Sequence, residues 1–189
     1  MSTLSPRLAI ERSTAALLVV DVQERLAAAM DAMKFARMSR NVETLVEAAQ
    51  TFGMPIVATE QYPTGLGPTI STLKRKLSPL APVSKMVFSS LKVEEVNRAL
   101  KQTGRSQVIV VGMETHVCIF QSVRDLVAEG YAPFVPRDAV LSRTQENHDT
   151  GLSLMHEAGA TLSSTEAIVF DLLGAAGSPE FKRLSALVK

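Results

Sequence analysis

Short apolar runs alternate with amphipathic stretches along this chain. Ala15-Ala16-Leu17-Leu18-Val19-Val20 is unbroken apolar sequence and stops at Asp21. Pro55-Ile56-Val57-Ala58-Thr59 stops at Glu60, and Val108-Ile109-Val110-Val111 stops at Gly112. Val83 to Phe88 is a further run, interrupted by Ser84 and Lys85, and Phe134-Val135 is a short one between two prolines. Continuous runs of this length, rather than alternating ones, predict strands covered on both faces, as in a parallel sheet.

Helical periodicity fills the intervals. Residues 39–52 place Val42, Leu45, Val46 and Ala49 on one stripe before Gly53. Residues 93–103 do the same with Val93, Val96, Ala99 and Leu100 before Gly104, and residues 117–129 with Ile119, Val123, Leu126 and Val127 before Gly130. An apolar stripe closed by glycine predicts an amphipathic helix and its C-terminal stop. A further helix is expected over 148–158. Ser163 and Glu166 have capping-box spacing ahead of Ala167 to Leu173, and Ser178-Pro179 reads as an N-cap and first-turn proline. Strand–helix alternation predicts an α/β fold: three layers, Rossmann-like, with a mainly parallel sheet flanked by helices. Ligands in such sheets bind beyond the carboxyl ends of the strands.

Composition narrows the function classes. At 189 residues, 46% hydrophobic and 21% charged, the chain reads as a single globular domain over 1–189. A net charge of +1 gives no basic stripe for nucleic acid, so no nucleic-acid partner is expected. The lone cysteine excludes an intrachain disulfide. The polar stretch Met1 to Arg12, with Pro6, lacks the charged start and apolar block of a targeting segment, and Ala15–Val20 is far short of the ~20 residues of a membrane helix. A soluble cytoplasmic protein without a membrane partner is expected.

The strand ends carry the chemistry. Asp21 follows six apolar residues, either as a turn cap or as a carboxylate at the sheet mouth. Neither a Gly-x-Gly-x-x-Gly nor a P-loop motif follows any strand. Lys85 interrupts an apolar run; it either points to water from an edge strand or meets a buried anion. The fourth run leads into Gly112-Met113-Glu114-Thr115-His116-Val117-Cys118, which puts Cys118 in the first turn of a helix. It is either an inert buried thiol or a thiolate, since helix N-termini lower a thiol pKa from ~8.5 toward ~3.5–7.5.

Three segments together resemble the isochorismatase-like cysteine hydrolase family: Leu17-Leu18-Val19-Val20-Asp21-Val22-Gln23, Ser84-Lys85-Met86-Val87-Phe88-Ser89 and Gly112-Met113-Glu114-Thr115-His116-Val117-Cys118. The loop Thr59 to Thr69 and the segments Thr165 to Phe170 and Pro179 to Lys182 are similar to its isochorismatase domain-containing branch. The resemblance implies a catalytic triad of Asp21 as general base, Lys85 as electrostatic partner and Cys118 as nucleophile. It also implies a cis peptide between Met113 and Glu114, with the backbone N–H groups of Glu114 and Cys118 as an oxyanion hole. The implied activity is hydrolysis of a small amide or related acyl compound through a thioester. The alternatives are a thiol-independent hydrolase of an isochorismate-like vinyl ether, or a non-catalytic binding module.

Gln23, Tyr62, Leu66 and Thr115 flank the strand ends and are expected to contact substrate. Metal-dependent relatives in the family carry histidines after the second strand; here that stretch is Glu60-Gln61-Tyr62, so no metal and no other cofactor is expected. His148 and His156, eight apart, are read as solvated or internally satisfied. Family members assemble, so a homo-oligomer, dimer or tetramer, is expected, with Phe88 to Leu91 or Ile119-Phe120 as contact surface.

Overall fold

The computed structural model describes residues 8–188. Residues 1–7 of the Met1–Arg12 stretch, Pro6 included, lie outside the described residues. Seven strands form one sheet: β1 (Ala15–Val20), β2 (Ile56–Gln61), β3 (Val83–Lys85), β4 (Gln107–Met113), β5 (Ala132–Pro136), β6 (Val140–Leu141) and β7 (Thr161–Ser163). Their order is β3-β2-β1-β4-β5-β7, with β6 beside the end of β4, and every pairing is parallel. Chain order runs outward in one direction from β1 and in the other from β4, so the switch point lies between these two strands. That is the place where an open α/β sheet leaves a crevice.

The unbroken apolar runs follow from two cores. Successive side chains of a strand face opposite ways. Ala15, Leu17 and Val19 enter a core with α2 (Ala32–Thr51), α8 (Thr165–Leu173) and α9 (Pro179–Ser185). Ala16, Leu18 and Val20 enter the opposite core with α5 (Glu94–Gln102), α6 (Phe120–Ala128) and α7 (Gln145–Glu157). Both faces are therefore apolar and the sheet is the middle of three layers. No helix among the described residues is long and apolar enough to cross a membrane.

The differences from expectation are local. The helix expected from 39 starts at Ala32, where Asp31 caps it by accepting from the Lys34 N–H at 2.9 Å. The run Val83–Phe88 leaves the sheet after Lys85, because its carbonyls at Val87 and Phe88 turn back to the Lys85 ammonium at 3.4 and 3.0 Å. Ser164, not Ser163, caps α8, accepting from Ala167 N–H at 3.2 Å. Ser178 caps α9 as expected, from Phe181 N–H at 3.1 Å. Short α1 (Glu24–Ala28), α3 (Pro63–Leu66) and α4 (Ser71–Leu77) occupy stretches with too few apolar repeats to register.

Candidate active site

Asp21, Lys85 and Cys118 come from three strand ends on one edge of the sheet. β1 lies between β2 and β4, and the register pairs Val20 with both Thr59 and Gly112. Gly112 has φ +119°, and a Cβ there would run into the Val20 carbonyl, so only glycine lets β4 lie this close to the end of β1. Asp21 turns left-handed at φ 53° immediately after β1. Its N–H donates to Thr59 O at 3.1 Å and its carbonyl accepts from Gln23 N–H at 2.8 Å, which holds an otherwise sparse conformation.

The Asp21 carboxylate is fully buried and lies 2.6 Å from the Lys85 ammonium, also fully buried. Thr59 donates its hydroxyl to Oδ1 at 2.8 Å, whereas Oδ2 faces the ammonium as an ion pair without a directed hydrogen bond. β3 is an edge strand, yet Lys85 points inward. Its Nζ donates to Gln61 Oε1 at 2.7 Å and to Phe88 O at 3.0 Å. Register explains the partner, since Gln61 and Lys85 are paired across β2 and β3. Burial holds the Asp21 carboxyl above its ordinary range, while Lys85 and the Thr59 hydroxyl pull it back down.

The Cys118 thiol interacts with both charged groups, so the three side chains form one cluster. Of the two readings of Cys118, the surroundings favour the protonated thiol. Burial pushes the thiol pKa up to about 12, with the Asp21 charge adding to the rise and Lys85 opposing it. A π-helical turn, Thr115–Ile119, precedes α6, and the Glu114 carbonyl accepts from both Val117 and Ile119 N–H at 3.1 Å. Cys118 is thus the fourth residue of a turn whose amides are partly spent. The peptide bond Met113–Glu114 is cis, and the Glu114 N–H finds no acceptor among the described residues.

The residues expected to contact substrate separate into two groups. Gln23 is fully buried: its Nε2 donates to Gln61 O and Gly67 O at 2.9 and 2.6 Å, and its Oε1 accepts from Gln61 N–H at 2.8 Å. With every polar atom engaged, it braces the end of β2 rather than lining a pocket. Thr115 is also fully buried and shares a 3.1 Å hydrogen bond with His148 Nδ1. Tyr62, just before α3, is exposed, and Leu66, the last residue of α3, is half-buried. Ile119 belongs to the core, which corrects its assignment as a contact surface, and Leu91 is buried too. Met86, Val87 and Phe88 are exposed.

Several supporting residues escaped the sequence reading. Thr59 and Gln61 hold the ion pair; the polar run Thr59-Glu60-Gln61 closing an apolar strand was the available signal. Ser89 donates to Asp125 Oδ2 at 2.7 Å and Ser90 N–H to Ser122 Oγ at 2.8 Å, tying the segment after Lys85 to α6. Arg143 pairs with the nearly buried Glu114 at 2.7 Å. His116 turns away to Ser142, 3.0 Å from its Nδ1. Cys118 is 6% exposed.

The turn bearing Cys118 is pressed from behind by α7. A Cβ on Gly151 would sit 2.8 Å from the Thr115 carbonyl and the His116 nitrogen, all backbone atoms that cannot swing aside. Gly151→Ala is expected to destabilise by about 1–3 kcal/mol, the usual range for overpacking. Urea denaturation measures it; an unchanged midpoint would show that α7 yields freely.

The family model described as the isochorismatase domain matches residues 15–167. The chain is 38% identical over 178 residues to the secreted isochorismatase effector Isc1 of Phytophthora sojae, covering 92% of this chain and 83% of that one. It is 35% identical over 173 residues to isochorismatase domain-containing protein 2 of Bos taurus, covering 92% and 82%. Among solved structures, it is similar to MAR1 ribonuclease from Caenorhabditis elegans, with a TM-score of 0.87, 35% identity and coverage of 95% and 92%.

Proposed function

The chain belongs to the isochorismatase family, and from that premise we propose that it is a cysteine hydrolase of a small amide or related acyl compound. The observation that carries the reading is the buried Asp21–Lys85 ion pair at 2.6 Å with the Cys118 thiol interacting with both partners. A thiol pKa near 12 fits this reading through charge balance. Loss of the thiol proton to bulk water would leave two buried anions beside one cation. Transfer of the same proton to Asp21 keeps the cluster neutral, as Lys85 cation, Asp21 acid and Cys118 thiolate.

The sulfur therefore stays protonated until it attacks. As the S–C bond forms, the thiol proton passes to Asp21, and Lys85 remains against the carboxyl and the sulfur. The N–H groups of Glu114 and Cys118 stabilise the tetrahedral oxyanion. Asp21 then protonates the leaving amine as the C–N bond breaks. Water, deprotonated by Asp21, hydrolyses the thioester and restores the thiol. Tyr62 and Leu66 contact substrate, which reaches the sulfur by displacement of the exposed Met86–Phe88 segment. The same apolar segment supports assembly into a homo-oligomer. A cytoplasmic setting keeps the single cysteine reduced.

Turnover of a panel of small amides, imides and vinyl ethers by wild type and Cys118→Ala tests the reading. Amide hydrolysis that disappears in Cys118→Ala is the expected result. Vinyl ether cleavage that survives the substitution would establish the thiol-independent route instead.

A further inference from the structure

On the far side of the turn that bears Cys118 lies a cavity of about 260 Å³ lined by Lys34, Arg37, Arg137, Asp138, Gln145 and His148, among others. Three cations converge there from two elements: Lys34 and Arg37 from α2, Arg137 from the link between β5 and β6. None of the three is salt-bridged among the described residues. The one carboxylate of the lining makes no salt bridge to them. Asp138 Oδ1 is turned to the start of α8, accepting from Thr165 N–H at 2.8 Å and its hydroxyl at 3.0 Å. Arg37 and Asp138 also line an adjoining cavity of about 290 Å³ that holds Arg40.

Lys34, Arg37 and Arg40 follow at intervals of three along α2, after its N-cap Asp31. Lys34 donates to Gln145 Oε1 at 2.9 Å, which leaves its charge unneutralised, and cations without a carboxylate partner gathered around a concave space are stabilised by a bound anion. The size of the space selects the ligand. It is below the ~300–1,000 Å³ of drug-sized pockets, and the cations close on a notch rather than extend as a stripe.

We propose that this notch binds the phosphate group of a small phosphorylated molecule, or free phosphate, held by Arg37, Arg137 and Lys34. Arginine is suited to the task because its planar fork meets two phosphate oxygens at once. His148 connects the notch to the candidate active site. Its ring lines the cavity, and its Nδ1 shares the hydrogen bond with Thr115, the first residue of the turn bearing Cys118. An occupant therefore sits one side chain away from that turn and biases its position.

The groups around His148 set the sign of a pH effect. Lys34 and Arg37 face the notch from α2, Arg137 and Asp138 from the β5–β6 link, and Asp149 neighbours the imidazole on α7. Burial holds the His148 pKa down; Asp149 raises it, and Arg137 and Lys34 lower it. A bound phosphate offsets those cations and raises the His148 pKa, so binding strengthens as pH falls through it.

Titration of the full chain with inorganic phosphate and with glycerol phosphate, at constant ionic strength, tests the proposal. The His148 ring resonances report binding. Saturable shifts, a raised His148 pKa, and about tenfold weaker binding in each of Arg37→Gln and Arg137→Gln are expected. Both arginines are exposed, so the single variants are checked for folding by circular dichroism and either one suffices. Absence of saturable shifts, or equal binding by wild type and both variants, overturns the site. A single-stranded oligonucleotide binding far more tightly than either phosphate would overturn the small-molecule assignment.

Discussion

Lys85→Met is expected to lower the unfolding free energy at neutral pH by about 3–5 kcal/mol, the usual penalty for removing one partner of a buried ion pair. The substitution keeps most of the side-chain volume and removes the ammonium. The Asp21 carboxylate, fully buried, is then left with the Thr59 hydroxyl and the Cys118 thiol as its side-chain donors, neither of them charged. The carboxyl pKa, already raised by burial, rises further without its cation. A carboxyl whose folded pKa is raised confers stability that is complete below its unfolded pKa and is lost as pH rises through the folded value. The deficit of Lys85→Met therefore shrinks in acid and grows toward neutrality. Asp21→Asn in the same chain removes the stranded charge, tolerates the left-handed backbone at position 21 and should recover much of the loss. The double variant separates structure from chemistry: it should be folded and still fail to hydrolyse. Denaturant titrations of the three variants at acid and neutral pH measure this. A single variant as stable as wild type at neutral pH would mean that water reaches the carboxylate freely.

Asp21→Asn alone is expected to reduce amide turnover by about 10³-fold or more, because one group serves as base in attack and as acid in departure. The same substitution makes the thiol more acidic. Of the causes that hold the Cys118 pKa near 12, the Asp21 charge stands second after burial, and Lys85 remains to favour the thiolate. A variant with a more ionised sulfur and far less activity distinguishes proton transfer within the cluster from simple thiolate reactivity. Stability carries the same signature. From the ordinary thiol value of 9.0 up to about 12, the unfolded chain loses its thiol proton before the folded one does, so folding stability falls over that window. The slope is about 1.4 kcal/mol per pH unit from this group, and the difference between wild type and Cys118→Ala isolates it from other alkaline titrations.

The sheet was legible because both faces of β1 and β4 are buried, which writes itself as unbroken apolar sequence. β6 and β7 were not, being two and three residues long. The residues of the cluster stood out as polar side chains at the ends of apolar runs, but their convergence depends on strand order, which no single run encodes. Gln23 and Thr115 illustrate the limit: both occur where a pocket wall would be, and both are consumed by internal hydrogen bonds visible only when β2 and α7 are in place. The choice between buried thiol and thiolate stayed open for a related reason. Position at a helix start was readable, whereas burial beside a carboxylate was not.

Titration of the Cys118 thiol in wild type and Asp21→Asn, followed by thiolate absorbance or by alkylation rate against pH, tests most directly whether sulfur, carboxylate and ammonium act as one proton-sharing unit. The wild-type thiol should ionise only in strong alkali, near 12, and the variant at distinctly lower pH. A wild-type thiol that titrates at the value of a free cysteine, and does so identically in Asp21→Asn, would contradict the account.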